Sequence, residues 1–169
     1  GQVMIRNRRE DADIDFTDRI IDTRTFEPSA AEMDLYNSVS DYVREAYSQD
    51  QGQKLVLMLL QKEVVSSPAA LEQTIRMQLE DRNELTHRDE LRTILDKIEA
   101  IDTVTKQERL FDIVEEARAH VDMGRVIVFT QFRPTQREVI KTLDEQAYTT
   151  HAFHGGHSSQ EKEDMVKRI

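Results

Sequence analysis

Residues 125–159 read RVIVFTQFRPTQREVIKTLDEQAYTTHAFHGGHSS. Val126, Ile127, Val128 and Phe129 form a short, unbroken apolar run, the mark of a strand buried on both faces. A polar elbow, Thr130 to Arg133, leads into a helix that Pro134 opens. Tyr148 to Phe153 reads as a second strand, and His154 to His157 as a glycine loop opening a further helix. Strand, crossover helix and strand make a parallel unit whose connection is right-handed in nearly all proteins. Both strands then end at one edge of the sheet, the edge at which open α/β sheets bind ligands. Here that edge carries Thr130, Gln131, His154, Gly155 and Gly156. The expected fold class is therefore α/β.

Working outward, the 169 residues suit one large domain or two small ones. The chain is 38% hydrophobic and 33% charged, with five Gly and three Pro, which favours long solvated helices over an all-β fold. It has no cysteine, which excludes a disulfide framework, a thiolate nucleophile and a zinc–thiolate site, and points to a reducing interior. No signal peptide and no apolar span of membrane length is visible, so a soluble, cytoplasmic protein is expected. From Gly1 to Ile169 the sequence reads as a piece of something longer. The net charge of −10 is uneven: residues 25–124 hold eleven basic and twenty-one acidic side chains, whereas residues 125–169 hold seven and six. Acidity ordinarily argues against nucleic-acid binding, but here it lies away from the α/β stretch.

Residues 1–24 open on the apolar VMI with Arg6, Arg8 and Arg9 behind it. Residues 25–104 read as helical. Ser29 and Glu32 make a capping box, Ser67 an N-cap followed by Pro68 at the first helical position, and Thr105 and Glu108 a second box. Tyr36, Val39, Val43 and Tyr47 fall on one helical stripe. Leu55 to Leu60 is apolar all round, predicting a helix buried between others. Leu71, Ile75 and Leu79, then Leu91, Ile94, Leu95, Ile98 and Ile101, continue the core. Leu110, Ile113, Val114, Ala117 and Val121 follow on the helix after Thr105, with Gly124 as its stop. A third box, Ser158 and Glu161, opens a last helix with Met165, Val166 and Ile169 inward.

The loop His154-Gly155-Gly156-His157-Ser158 precedes a helix N-terminus, where free N–H groups and the helix dipole suit a phosphate; a plain tight turn is the bland alternative. His151, His154 and His157 share a spacing that invites a metal, but strand alternation sends His151 and His154 to opposite faces and no carboxylate or cysteine completes the set. His87-Arg88-Asp89 lacks the downstream Asn of a kinase catalytic loop and reads as a solvated helical face. There is no Gly-Lys-Ser/Thr phosphate loop and no nucleophile–base arrangement.

Taken in order, VMIRNRRED, FEPSAAEMDLY, LMLLQKEVVSSPAAL and finally TKQERLFDIVEEA, RVIVFTQF and HGGHSSQEKEDMVKRI resemble consecutive segments of Swi/Snf-type ATPases of helicase superfamily II. The likeness is strongest to the bacterial and archaeal branch that includes an RNA-polymerase-associated recycling factor. Asn7 stands where many members carry Arg, and Thr17 where many carry Pro. The resemblance implies that residues 1–24 end the first RecA-like lobe, that 25–104 form a helical linker region, and that 105–169 begin the second lobe as a truncated parallel α/β unit. It further implies that ATP and Mg belong to the parent protein and that the phosphate loop, acidic motif and arginine finger lie outside this stretch. On that reading the segment alone is not an ATPase. The partner implied is double-stranded DNA, bound weakly through its backbone by Thr130, Gln131, Arg133, His154, Gly155, Gly156 and Ser158, with RNA polymerase or another nucleoprotein as the remodelled target. A truncated sheet implies self-association through its open edge, or shielding by the helices. The competing class is a free-standing helical interaction module with an α/β appendage and no nucleic-acid role.

Overall fold

The computed structural model describes residues 21–49, 54–81, 87–119 and 125–168. Seven helices are found among them: α1 (Ala30–Gln49), α2 (Lys54–Ser66), α3 (Pro68–Asp81), α4 (Arg88–Glu99), α5 (Thr105–Ala119), α6 (Arg133–Glu145) and α7 (Ser159–Arg168). Arg6, Arg8, Arg9, Val121, Gly124 and Ile169 lie outside the described residues, as do Asn7 and Thr17.

Local chemistry sets three of the helix starts. Ser29 N–H donates to Glu32 Oε2 at 2.7 Å and Glu32 N–H to Ser29 Oγ at 3.2 Å, the reciprocal bonds of a capping box. Ser67 Oγ accepts from Ala70 N–H at 3.2 Å, with Pro68 opening α3. Ser158 and Glu161 repeat the box ahead of α7, at 2.7 and 3.3 Å. The box expected at Thr105 and Glu108 is replaced by a long-range one. Thr105 N–H and Oγ1–H both donate to the Glu32 carboxylate, at 2.9 and 2.6 Å, so one carboxylate serves the starts of α1 and α5 together.

Helices α1 to α4 pack pairwise into a bundle, α1 on α2 and α4, and α3 on α2 and α4. Its centre is Leu35, Val39, Leu57, Leu60, Leu71, Ile75 and Leu91, all essentially inaccessible. Each such side chain contributes roughly 1.5–3 kcal/mol by leaving water. The buried stripe of α1 runs through Leu35, Val39, Tyr42, Val43 and Ala46, whereas Tyr36 and Tyr47 are exposed, so the predicted stripe is rotated toward its neighbour. Likewise α2 is covered on one side only. Leu57 and Leu60 are buried, whereas Leu55, Met58 and Leu59 are exposed, so the helix is not buried all round as its composition predicts. On α5 only Val114 is buried, and on α7 Val166 is exposed.

The α/β expectation is overturned. No strand occurs among the described residues, and neither 126–129 nor 148–153 has regular secondary structure. The expected RecA-like parallel unit is therefore not found among the described residues. A strand exists only when its backbone finds a ladder partner, and no backbone hydrogen bond joins the two segments. The helix between them is also committed elsewhere: α6 packs on α3 instead of covering a sheet. Thr135, buried, shares hydrogen bonds with Ser66 Oγ at 2.9 Å and Ser67 Oγ at 2.7 Å. Arg137 reaches Gln73 at 2.8 Å from the same helix. The apolar run is half shielded in alternation: Val126 and Val128 are 37% and 38% exposed, Ile127 and Phe129 78% and 91%.

Candidate functional site

The elbow and the glycine loop meet in space, although no sheet holds them. Helix α6 begins at Arg133, one residue before the predicted start, with Phe132 as N-cap in the β region and Pro134 second, and Arg133 reaches from this turn to the loop. Arg133 Nη2 lies 3.1 Å from His154 Nε2. Gln136, one turn into α6, donates through Nε2 to the Phe153 carbonyl at 3.1 Å, tying the loop's first residues to the helix.

Within the loop His154 and His157 stack, ring centroids 3.7 Å apart. Gly156 N–H lies 3.2 Å from His154 Nδ1. A neutral imidazole accepts through one ring nitrogen only, so Arg133 and Gly156 compete for the ring. Partial burial, then the Arg133 guanidinium and His157, hold His154 below the ordinary imidazole range, which favours the neutral ring. A side chain at Gly156 would place its Cβ 3.2 Å from His154 Nδ1 and 3.6 Å from Arg133 Nη1, so the His154 ring would have to give by a few tenths of an ångström. At Gly155 a Cβ would meet nothing within 4 Å, leaving the loop open to an outside group.

The N-terminus of α7 is already occupied by its own carboxylate. Hydrogen bonds from Ser158 hold Glu161 below its usual carboxyl range, so the helix dipole is answered from inside the chain. The groups left to face an external anion are the Arg133 guanidinium and the open backbone at Gly155.

Among the described residues no hydrogen bond joins Thr130 or Gln131 to the loop. They line a groove of about 620 Å3 between the segment before α1, the C-terminal half of α2, α5 and residues 128–132. Arg24, Lys62, Lys106 and Arg109 line it as well. These four escaped the sequence reading because they are scattered over more than eighty positions and share no motif. Among the described residues no group of three or more His, Asp or Glu side chains is arranged to hold a metal ion, and His151 takes no part in the His154–His157 stack. None of the described helices is long and apolar enough to cross a membrane.

No family model and no solved structure matches the chain. One curated protein does: over 168 residues the chain is 28% identical to the "Uncharacterized ATP-dependent helicase YqhH" of Bacillus subtilis (strain 168). The chain is similar to an ATP-dependent helicase. The match takes in 98% of this chain and 29% of the relative, so the chain spans about three-tenths of the length of the curated protein it matches.

Proposed function

We propose that this chain is the part of an ATP-driven, Swi/Snf-type DNA translocase that touches the duplex backbone and carries none of the ATP-hydrolysing chemistry. Helicase relationship supports the class of parent protein, with ATP and Mg bound elsewhere in it and RNA polymerase or another nucleoprotein as its target. The observation that carries the reading is the meeting of Arg133 with His154 and Gly156, residues that local sequence places 21 or more positions apart. Two separate turns deliver a fixed cation and an uncovered backbone loop to one place, the chemistry that a phosphate diester needs. Ser158 supports the loop through its cap, and Thr130 and Gln131 extend the polar surface beyond the elbow.

With few cations and a net charge of −10, affinity for duplex is weak and salt-dependent. Fluorescence anisotropy with a labelled duplex oligonucleotide over a salt series measures it. Arg133→Ala is expected to weaken binding on any sequence and to lower the slope of log affinity against log salt by about one. Binding that persists at high salt, or that ignores Arg133→Ala, contradicts the assignment.

A further inference from the structure

The groove at Thr130 and Gln131 differs in charge from the rest of the surface. Four basic side chains line it against two acidic ones, Asp112 and Glu116, in a chain whose formal charge is −10. The basic groups converge from three places in the fold: Arg24 ahead of α1, Lys62 on α2, and Lys106 and Arg109 on α5. Lys62 is exposed on α2 with no carboxylate against it among the described residues. Lys106 donates to the Val65 carbonyl at 2.9 Å, which fixes its ammonium at the groove wall without neutralising it. Arg24 is held between two exposed carboxylates, Asp22 at 2.6 Å and Glu116 at 2.8 Å, and Arg109 rests on Asp112 at 3.1 Å, which leaves Lys62 and Lys106 as the unneutralised cations of the groove. Exposed pairs of this kind are worth only about 0–1 kcal/mol, so a phosphate can displace them.

The rest of the lining mixes hydroxyl and amide side chains with aromatic and aliphatic ones. Phe26 and Phe129 both line it, and Phe129 is 91% exposed, an aromatic face almost bare of protein neighbours. A cationic track beside a bare aromatic ring is the arrangement that takes unpaired nucleic acid, backbone on the charges and base on the ring. About 620 Å3 lies within the range of roughly 300–1,000 Å3 of small-ligand sites, room for a nucleotide or so. A paired base has its faces covered by its neighbours in the duplex, so a bare aromatic ring favours an unpaired one.

We infer that this groove holds an unpaired nucleic-acid strand, its phosphates against Lys62, Lys106 and Thr130 and a base stacked on Phe129. The inference goes beyond the duplex contact at Arg133, and it assigns the helical segment a part in binding through Lys62 and Lys106.

The test uses the 169-residue chain with a labelled thymidylate single strand and a labelled duplex, side by side. Phe129→Ala and Lys62→Ala alter exposed side chains, so neither removes core packing. Phe129→Ala is expected to weaken the single strand about ten-fold and leave the duplex unchanged. Lys62→Ala is expected to lower the salt slope for the single strand by about 0.7. Single-strand affinity that neither substitution moves overturns the inference. Inorganic phosphate is expected to compete poorly; competition equal to that of unlabelled strand reduces the groove to a simple anion site and also overturns it. The two readings fail separately. A duplex arm that responds to Arg133→Ala beside a single-strand arm indifferent to Phe129 and Lys62 sinks the groove alone. The reverse pattern sinks the duplex contact alone.

Discussion

Glu32 and Glu63 sit on neighbouring helices of the same bundle, and their surroundings drive them in opposite directions. Partial burial works against ionisation of Glu32, but hydrogen bonds from Thr105 and Ser29 outweigh it and hold the carboxyl below its ordinary value. The stability it contributes is present above that value and lost as pH falls. Glu63 is only 5% exposed; Thr74 donates to its Oε1 at 2.8 Å, while Oε2 has no partner among the described residues. Burial raises its pKa above the ordinary carboxyl value of 4.5, and the single Thr74 bond only partly offsets this. The sign follows: the stability it contributes is complete below about pH 4.5 and drains away as pH rises through the raised folded value. Glu63→Gln, which keeps the shape and removes the charge, is expected to flatten the decline of Tm from acidic to neutral pH. Thermal unfolding at a series of pH values checks it, and parallel profiles for the two proteins would remove Glu63 as the cause.

Helix α6 shows how an element can end against its residue preferences. Ala147 N–H bonds to the Asp144 carbonyl at 3.0 Å and Tyr148 N–H to the Leu143 carbonyl at 3.1 Å, the two bonds of a Schellman stop. The stop requires a left-handed residue, and Ala147 has φ 62. An alanine there costs about 1–2 kcal/mol in steric crowding that glycine escapes, part of which glycine's freer unfolded chain returns. Ala147→Gly is expected to raise stability by up to about 1 kcal/mol, read as a higher urea midpoint with an unchanged m-value. A lower midpoint would show that this turn is not strained. The same helix has Thr135 buried against Ser66 and Ser67, so its two ends are fixed by different means, one by the bundle and one by its own backbone.

Across the whole molecule the unbalanced feature is the run 126–129. Ile127 and Phe129 are exposed at 78% and 91%, and the backbone beside them has no ladder partner among the described residues. Apolar side chains next to unpaired N–H and C=O groups recruit another chain. Opposing this is the formal charge of −10, which keeps copies apart at low salt. Concentration-dependent self-association is expected, increasing as salt screens the charge, and Ile127→Lys is expected to suppress it. Light scattering across protein concentration and salt measures this; a monomer under all conditions would mean that the half-shielding of Val126 and Val128 suffices.

The helix starts were legible because their causes are local. Ser29, Ser67 and Ser158 each act on a backbone group three residues away, so sequence spacing alone specifies them. The core of α3 and α4 was legible for a related reason, since Leu71, Ile75, Leu91, Ile94, Leu95 and Ile98 keep helical spacing wherever the helices pack. What Val126 to Phe129 becomes was not legible, because an apolar run is a strand only if distant backbone pairs with it, and here α6 docks on α3 and no ladder forms. Thr105 was claimed by a carboxylate 73 positions away instead of the Glu108 beside it. The site divides in the same manner. Sequence determined that Arg133 and the glycine loop are turn elements able to present a cation and bare backbone. Only the tertiary structure decided that they touch, that Thr130 and Gln131 open elsewhere, and that Lys62 and Lys106 join them, because charges distant in sequence reach one groove only through the packing of the helices that carry them.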